Sequence, residues 1–172
     1  VHAAGLAPDE ITLVNGVPVT TPARAVVDVA RSAGFASAVV LADAALAVPG
    51  RGRPPLATAA DLERAIGRST RRPGAPVARR VVGFADGRSG SVGESRSRVA
   101  MHVAGLPPPE LQWAVHTASG LFIGRVDFAW PLYRTVAEFD SKVKYGRLLR
   151  PGQDPGEVVY REKRREDALR GE

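Results

Sequence analysis

Two aspartates, one glutamate and two lysines lie close together in the segment RVDFAWPLYRTVAEFDSKVKY, and these residue types can hold a metal ion beside a phosphate. They are Asp127, Glu138, Asp140, Lys142 and Lys144. Carboxylate oxygens suit Mg²⁺ or Mn²⁺. The metal would lower the pKa of a bound water and stabilise charge on the phosphate, while a lysine positions the water. The residue types therefore permit a metal site for phosphodiester hydrolysis.

The face on which these acids lie depends on the strand that carries them. A strand predicted over 134–140 alternates Glu138, Asp140 and then Lys142 with Phe139 and Ser141, so period two places the three charged side chains on one face. The same pattern also fits a solvated face with ion pairs, which is the commoner use of such residues. Both interpretations stay open on spacing alone.

The position of Asp127 relative to Glu138 depends on the register of the preceding turn. A turn at 130–133 that sets Ala129 opposite Arg134 would set Asp127 opposite Val136. Glu138 would then be the diagonal neighbour of Asp127 on the same face, about 7–8 Å away at Cα. A slip of one residue would move Asp127 to the other face.

The elements around this segment predict an α+β chain in two parts. In residues 1–88, a hairpin over 11–19 turns at Asn15-Gly16, and Thr21-Pro22 starts a helix that ends near Ser32. Further helices are predicted at 36–48, 59–67 and 75–85. The loop ADGRSGSVG marks the boundary. In residues 89–172, a helix over 91–103 precedes strands at 111–116, 121–129 and 134–140, and a charged helix closes the chain at 155–169.

Composition limits the partners and the compartment. The net charge of +6 and the pI of about 10.4 favour an anionic partner, although a solvated basic surface fits equally well. Of the basic residues 21 are Arg and three are Lys, which a GC-rich genome also explains. No apolar run approaches the ~18 residues of a membrane span, so DNA is the expected partner rather than a membrane. The absence of cysteine excludes disulfides and cysteine-ligated zinc, and fits a cytoplasmic protein.

The acidic hairpin resembles the catalytic core of the PD-(D/E)xK nuclease superfamily, and within it the Vsr-like domain. Asp127-Phe128 matches the first strand motif, and Glu138-Phe139-Asp140 matches the second, with Lys144 in the position of the family's histidine. Lys142 forms a literal Asp-x-Lys with Asp140. The resemblance implies a restriction-endonuclease-like α-β-β-β-α core without its last strand, in which Asp127, Glu138 and Asp140 hold Mg²⁺ or Mn²⁺.

Two helices of the same resemblance supply further candidate residues. Glu94 matches a glutamate on the family's first helix, and the resemblance gives it a catalytic role. Ser91-x-x-Glu94 is also a capping box, so Glu94 can equally serve its own helix end. The segment YREKRREDALR is similar to the closing helix, where four basic side chains would contact DNA phosphates, unless they form a solvated face: Arg161, Lys163, Arg164 and Arg165.

The first half resembles a different family. The segment GVPVTTPARAVVDVAR is similar to the abortive-infection antitoxins of type IV toxin–antitoxin systems, whose winged helix is not found before Val1. The resemblances imply a metal-dependent DNA endonuclease of repair or phage defence. The alternative is a non-catalytic, DNA-binding, antitoxin-like regulator on a degenerate nuclease fold, with a toxin–antitoxin type of protein partner.

Overall fold

The computed structural model of the chain describes residues 5–50, 52–139 and 167–169. The fold is mixed, with α-helices and two small antiparallel sheets. Packing divides the chain into two compact units, Val1–Val99 and Ala100–Glu172, which we call the helical unit and the sheet unit. Within the described ranges, no helix combines the length and the apolar character needed to cross a bilayer.

The helical unit begins with the predicted hairpin, which the structure confirms. Strands β1 (Ile11–Val14) and β2 (Val17–Thr20) flank Asn15 and Gly16, whose φ values of 52° and 79° make a type I′ turn. Pro18 pairs with Leu13, one step beyond the hydrogen-bonded pair that closes the turn. At that step the backbone nitrogen points away from the partner strand, so Pro18 costs the hairpin no hydrogen bond.

Four helices follow the hairpin at the predicted places. Thr21 caps the first helix by accepting a hydrogen bond from the Arg24 N–H, and Pro22 takes the first helical position. Thr58 and Asp61 form a capping box at the start of the third helix. The helices are α1 (Pro22–Ala30), α2 (Phe35–Leu46), α3 (Ala59–Arg68) and α4 (Ala75–Phe84).

The core of the helical unit is aliphatic. Each helix contributes apolar side chains that are almost fully buried, and none of the largest is aromatic: Val26, Val27, Val39, Leu62 and Val81. Two ion pairs are buried beside this core. Arg24 Nη1 lies 2.8 Å from Glu10 Oε2. Arg98 Nη2 donates to both carboxylate oxygens of Asp43, at 2.8 Å each. The second pair ties the next helix to α2.

That helix, α5 (Val92–Val103), is divided between the two units. Glu94, Arg98 and Val99 are buried on its first two turns, so this part packs with the helical unit. The compact units therefore divide after Val99, eleven residues beyond the predicted boundary at residue 88. The predicted boundary followed the Gly- and Ser-rich loop, which carries no information about the side chains buried after it.

The sheet unit contains the predicted three-stranded antiparallel meander. Its strands are β3 (Glu110–His116), β4 (Phe122–Trp130) and β5 (Thr135–Ala137), with β4 in the centre. A short 3₁₀ turn, Pro131–Tyr133, joins β4 to β5. Residues 167–169 are helical, and the rest of the predicted closing helix lies outside the described residues.

The predicted extent and register of the third strand were wrong. The prediction ran over 134–140, whereas β5 begins at Thr135 and ends at Ala137. Arg134 is left-handed, with a φ of 48°, and belongs to the turn. Ala129 therefore pairs with Val136 instead of Arg134. The turn includes Arg134 and excludes Trp130, which pairs with Thr135, so the register shifts by two residues.

Candidate functional site

Asp127 lies in the middle of the central strand β4. Its neighbours Val126 and Phe128 are buried, and by period two they face the opposite side of the sheet. Asp127 itself is half-buried. The strand thus carries one apolar face and one face on which a carboxylate is partly accessible.

The β4–β5 pairing changes the predicted neighbour of Asp127. Phe128 pairs with Ala137 and Ala129 with Val136, and this register, continued one step past its last pair, would set Glu138 opposite Asp127. The sequence analysis had placed Val136 there, with Glu138 on the diagonal. Glu138 was predicted to lie on the strand, but it follows the end of β5 and is exposed. Because the register shifts by two residues and not by one, Asp127 stays on the face of the sheet that the prediction gave it.

The carboxylate of Asp127 is held on both sides. The Phe139 N–H donates to Asp127 Oδ2 at 2.8 Å, and Gln112 Nε2 donates to Asp127 Oδ1 at 3.3 Å. A carboxylate oxygen has about two lone-pair sites, so each oxygen of Asp127 keeps one beyond these bonds. Because the Phe139 N–H bonds to a side chain, it is not donated to a carbonyl of β4, which fits the early end of β5.

Gln112 contacts Asp127 and was not among the residues predicted from the sequence. It occupies the β3 position between Leu111, which pairs with Phe128, and Trp113, which pairs with Val126, so it faces Asp127. Its φ is 53°, an uncommon and costly conformation for a residue other than glycine. Only the register of β3 against β4 could have identified it, and the sequence does not fix that register.

Glu94 serves its own helix in this structure. Its carboxylate accepts a hydrogen bond from the Gly90 N–H at 2.7 Å, and its own N–H donates to Ser91 Oγ at 3.1 Å. Its side chain is buried and lies in the helical unit, where it stabilises the start of α5. These contacts match the capping alternative, and a catalytic role for Glu94 stays a prediction.

Several predicted site residues fall outside the described part of the chain. These are Asp140, Lys142 and Lys144 of the acidic segment, and the basic residues of the closing helix: Arg161, Lys163, Arg164 and Arg165. Within residues 5–50, 52–139 and 167–169, no three His, Cys, Asp or Glu side chains form a group able to hold a metal ion. The described part therefore supplies two of the three predicted metal ligands, Asp127 and Glu138.

A cavity of about 350 Å³ opens in the helical unit between the hairpin, α1 and α3. Its charged lining is internally paired, since Arg24 binds Glu10, Arg64 binds Asp61, and Arg68 binds Asp9. Burial alone would raise the pKa of Glu10, but hydrogen bonds from the Ala7 N–H and from Arg24 outweigh it and hold that pKa below its usual value. Two of these pairs, Arg24–Glu10 and Arg68–Asp9, connect the residues just before β1 to α1 and α3.

Comparison with known proteins finds relatives of this chain but no assigned family. No protein-family model matches, and no solved structure matches. The chain is 40% identical over 128 residues to "Uncharacterized protein Rv2248" of Mycobacterium tuberculosis strain H37Rv, and equally to "Uncharacterized protein MT2308" of strain CDC 1551 / Oshkosh. The match covers 74% of this chain and 45% of each relative. The chain thus spans about half the length of the curated relatives that it matches.

Proposed function

We propose that this chain belongs to a metal-dependent DNA endonuclease whose active site lies on β4 and on the segment that follows β5. The observation that supports the proposal is the register of β4 and β5, which would set Glu138 opposite Asp127 if it continued one step past the Phe128–Ala137 pair. Two carboxylates on neighbouring segments, one on β4 and one just after β5, are the kind of donors that a hydrolytic metal site uses. The acids and lysines that follow in the sequence, Asp140, Lys142 and Lys144, complete the proposed set.

The donor set suits Mg²⁺ or Mn²⁺. Asp127 and Glu138 offer hard oxygen ligands, and Asp140 would add a third. Ligating carboxylates are commonly oriented by hydrogen bonds from a surrounding shell, as Asp127 is by Gln112 and by the Phe139 N–H. The metal would supply an activated water and neutralise charge on the scissile phosphate.

The protein's own groups would orient the metal ligands and position the attacking water. Gln112 and the Phe139 N–H fix the direction of the Asp127 carboxylate, so that little reorganisation is needed when a cation binds. Lys142 or Lys144 would position the attacking water or neutralise the phosphate. A cytoplasmic location agrees with a DNA substrate and with the lack of cysteine.

The second candidate function is an antitoxin-like regulator that binds DNA without cutting it. The observation that favours it is the distribution of charge, because residues 64–85 of the helical unit contain six arginines and no acidic residue. Such a protein would bind DNA in a strongly salt-dependent way and leave it intact. Its protein partner would be of the toxin–antitoxin type.

Plasmid cleavage tests the first candidate against the second. We expect nicking with Mg²⁺ or Mn²⁺, none with EDTA, and a loss of cleavage of at least about a hundredfold in Asp127→Asn and Glu138→Gln. Glu63→Gln is the matched control, because Glu63 is an exposed acid on α3. Metal-independent cleavage, or equal cleavage by Asp127→Asn and the control, would contradict the endonuclease. Folded protein that binds DNA and never cleaves it would favour the regulator.

A further inference from the structure

The positive charge of the chain is concentrated in one segment of the helical unit. Residues 64–85 contain Arg64, Arg68, Arg71, Arg72, Arg79 and Arg80, with no lysine and no acidic residue. This segment carries +6, and the whole chain also carries +6, so the remaining 18 basic and 18 acidic residues cancel. The excess charge is therefore a local feature of the second half of α3, the turn after it and α4, because Asp61 and Glu63 lie in the first half of α3, before this segment.

Four of these arginines form one set, which we call the arginine surface: Arg71, Arg72, Arg79 and Arg80. The first two lie in the turn before α4, and the other two lie on α4 itself. Helix α4 buries Ala75, Ala78, Val81 and Val82 against the core, which leaves Arg79 and Arg80 on its exposed side. Arg71 is also exposed, and Arg72 is half-buried with its guanidinium donating to the Gly5 carbonyl.

The backbone and one side chain of this surface are fixed in place. Arg31 Nε donates to the Pro73 carbonyl at 2.8 Å, and a Cβ at Gly74 would lie 2.1 Å from the Arg31 carbonyl oxygen, so the turn packs tightly on the end of α1. The Arg80 guanidinium lies 5.2 Å from the centre of the Phe35 ring. Stacking of this kind leaves the edges of the guanidinium open to acceptors.

The arginine surface differs from the two other arginines of the segment. Arg64 and Arg68 form ion pairs with Asp61 and Asp9. Across the residues that the structure describes, no carboxylate forms an ion pair with any of the four arginines of the surface. Four positive side chains within ten residues, on one helix and the turn that leads into it, are suited to a polyanion.

We propose that the arginine surface binds the phosphate backbone of double-stranded DNA. Guanidinium groups match phosphate oxygens through paired N–H donors, and a row of them contacts successive phosphates. Beside the arginines, the exposed side of α4 offers Pro76 and Val77, which provide too little apolar surface for insertion into a membrane. The choice of DNA as the polyanion rests on the proposed function, whereas the contact surface rests on these arginines.

Binding of a double-stranded DNA oligonucleotide, followed by fluorescence anisotropy in EDTA over a range of salt, tests this proposal without any cleavage. We expect Arg79→Gln/Arg80→Gln to lower the slope of log affinity against log salt by about 2 and to weaken binding at least tenfold at low salt. The matched control Arg53→Gln/Arg96→Gln removes the same charge from exposed positions outside the segment and should change both far less. Arg79→Lys/Arg80→Lys should keep most of the slope, because the charge remains.

Equal losses in the two glutamine doubles, with both proteins as thermally stable as the parent, would overturn the proposal. Tighter binding to phosphatidylserine vesicles or to polyglutamate than to DNA at equal salt would also overturn it, in favour of a membrane or an acidic protein. The outcome is separable from that of the endonuclease. Arginine-dependent binding without metal-dependent cleavage contradicts the endonuclease alone, and cleavage that needs Asp127 but not these arginines contradicts the surface alone.

Discussion

The helical unit and the sheet unit differ in how much apolar surface they bury. In the helical unit, α1 to α4 and the first turns of α5 enclose a continuous aliphatic core, and two ion pairs are buried beside it. In the described part of the sheet unit, the buried apolar side chains are only Leu111, Val126, Phe128 and Ala129. Large apolar side chains there remain accessible, among them Trp113, Phe122 and Leu132, which is 95% exposed.

The difference predicts what substitutions at buried positions will change in each unit. Substitutions of buried residues in the helical unit remove packing or ion-pair partners and should mainly lower the free energy of unfolding, whereas those in its exposed arginine surface should mainly lower DNA affinity. Asp127 and Gln112 sit in a thin sheet, where their hydrogen bonds orient a carboxylate and bury little apolar surface. Substitutions there should be read mainly in function.

The largest effect is expected at the buried pair of Arg98 and Asp43. Arg98→Met leaves Asp43 buried without its cation and should lower the free energy of unfolding by about 3–5 kcal/mol. Adding Asp43→Leu removes the stranded charge and should recover most of that loss. Urea unfolding followed by far-UV circular dichroism measures both. A single variant as stable as the parent would show that the pair contributes little to the helical unit.

The next effect is expected at Gly74, with Gly16 as its control. Both residues have a φ of 79°, but a Cβ at Gly74 would meet the Arg31 backbone, whereas a Cβ at Gly16 would meet nothing within 4 Å. Gly74→Ala should therefore cost about 3 kcal/mol, and Gly16→Ala about 1 kcal/mol from the left-handed conformation alone. If Gly74→Ala and Gly16→Ala shifted the urea midpoint equally, the turn after α3 would be able to move away from α1 without loss of stability.

The effect expected in the sheet unit is functional. Gln112→Met keeps the size of the side chain but removes the donor to Asp127, and should lower metal-dependent cleavage about 10–100-fold. Mn²⁺ affinity should fall with it, a change that a purely structural role would not produce. The free energy of unfolding should move by less than about 1 kcal/mol. A large loss of stability with unchanged Mn²⁺ affinity would instead make Gln112 a structural residue.

The smallest effect is expected in acid, at Glu10. Burial raises the pKa of Glu10, but the hydrogen bonds from the Ala7 N–H and from Arg24 together outweigh burial and hold the pKa below its usual value of 4.5. A depressed carboxyl pKa contributes stability that is complete above the unfolded-state value and is lost as pH falls through the folded-state value. Glu10→Gln should therefore be less stable than the parent near neutral pH and should lose less stability below pH 4.5. Parallel stability curves for the two proteins would contradict this linkage.

Local signals in the sequence were sufficient to predict the hairpin and helices α1 to α4 of the helical unit. Asn15-Gly16 predicts a two-residue turn because both positions need positive φ, and Thr21-Pro22 predicts a helix start because capping and a fixed φ coincide there. The spacing of apolar residues gave the helices to within a few residues. These features depend on neighbours along the chain, which a single sequence contains.

The site depended on contacts that a single sequence does not contain. The left-handed backbone of Arg134 puts it in the turn, while Trp130 pairs with Thr135 and belongs to β4. These two changes together move the register from Val136 opposite Asp127 to one that, continued past β5, would set Glu138 there. Gln112 could not be found before β3 was aligned with β4. The sequence left Glu94 with two interpretations, since a capping box and a catalytic glutamate have the same pattern, and only the structure shows its contacts at the start of α5.

The position of Pro18 affects how copies of this protein behave toward one another. The outer edge of β2 would offer another strand a row of N–H and C=O groups, flanked by exposed apolar residues such as Val17 and Val19. Pro18 removes one N–H from that edge without weakening the hairpin, and its ring obstructs a strand that approaches there. A hairpin with accessible valines is thus protected against edge-to-edge self-association, and the protection costs it nothing in its own pairing.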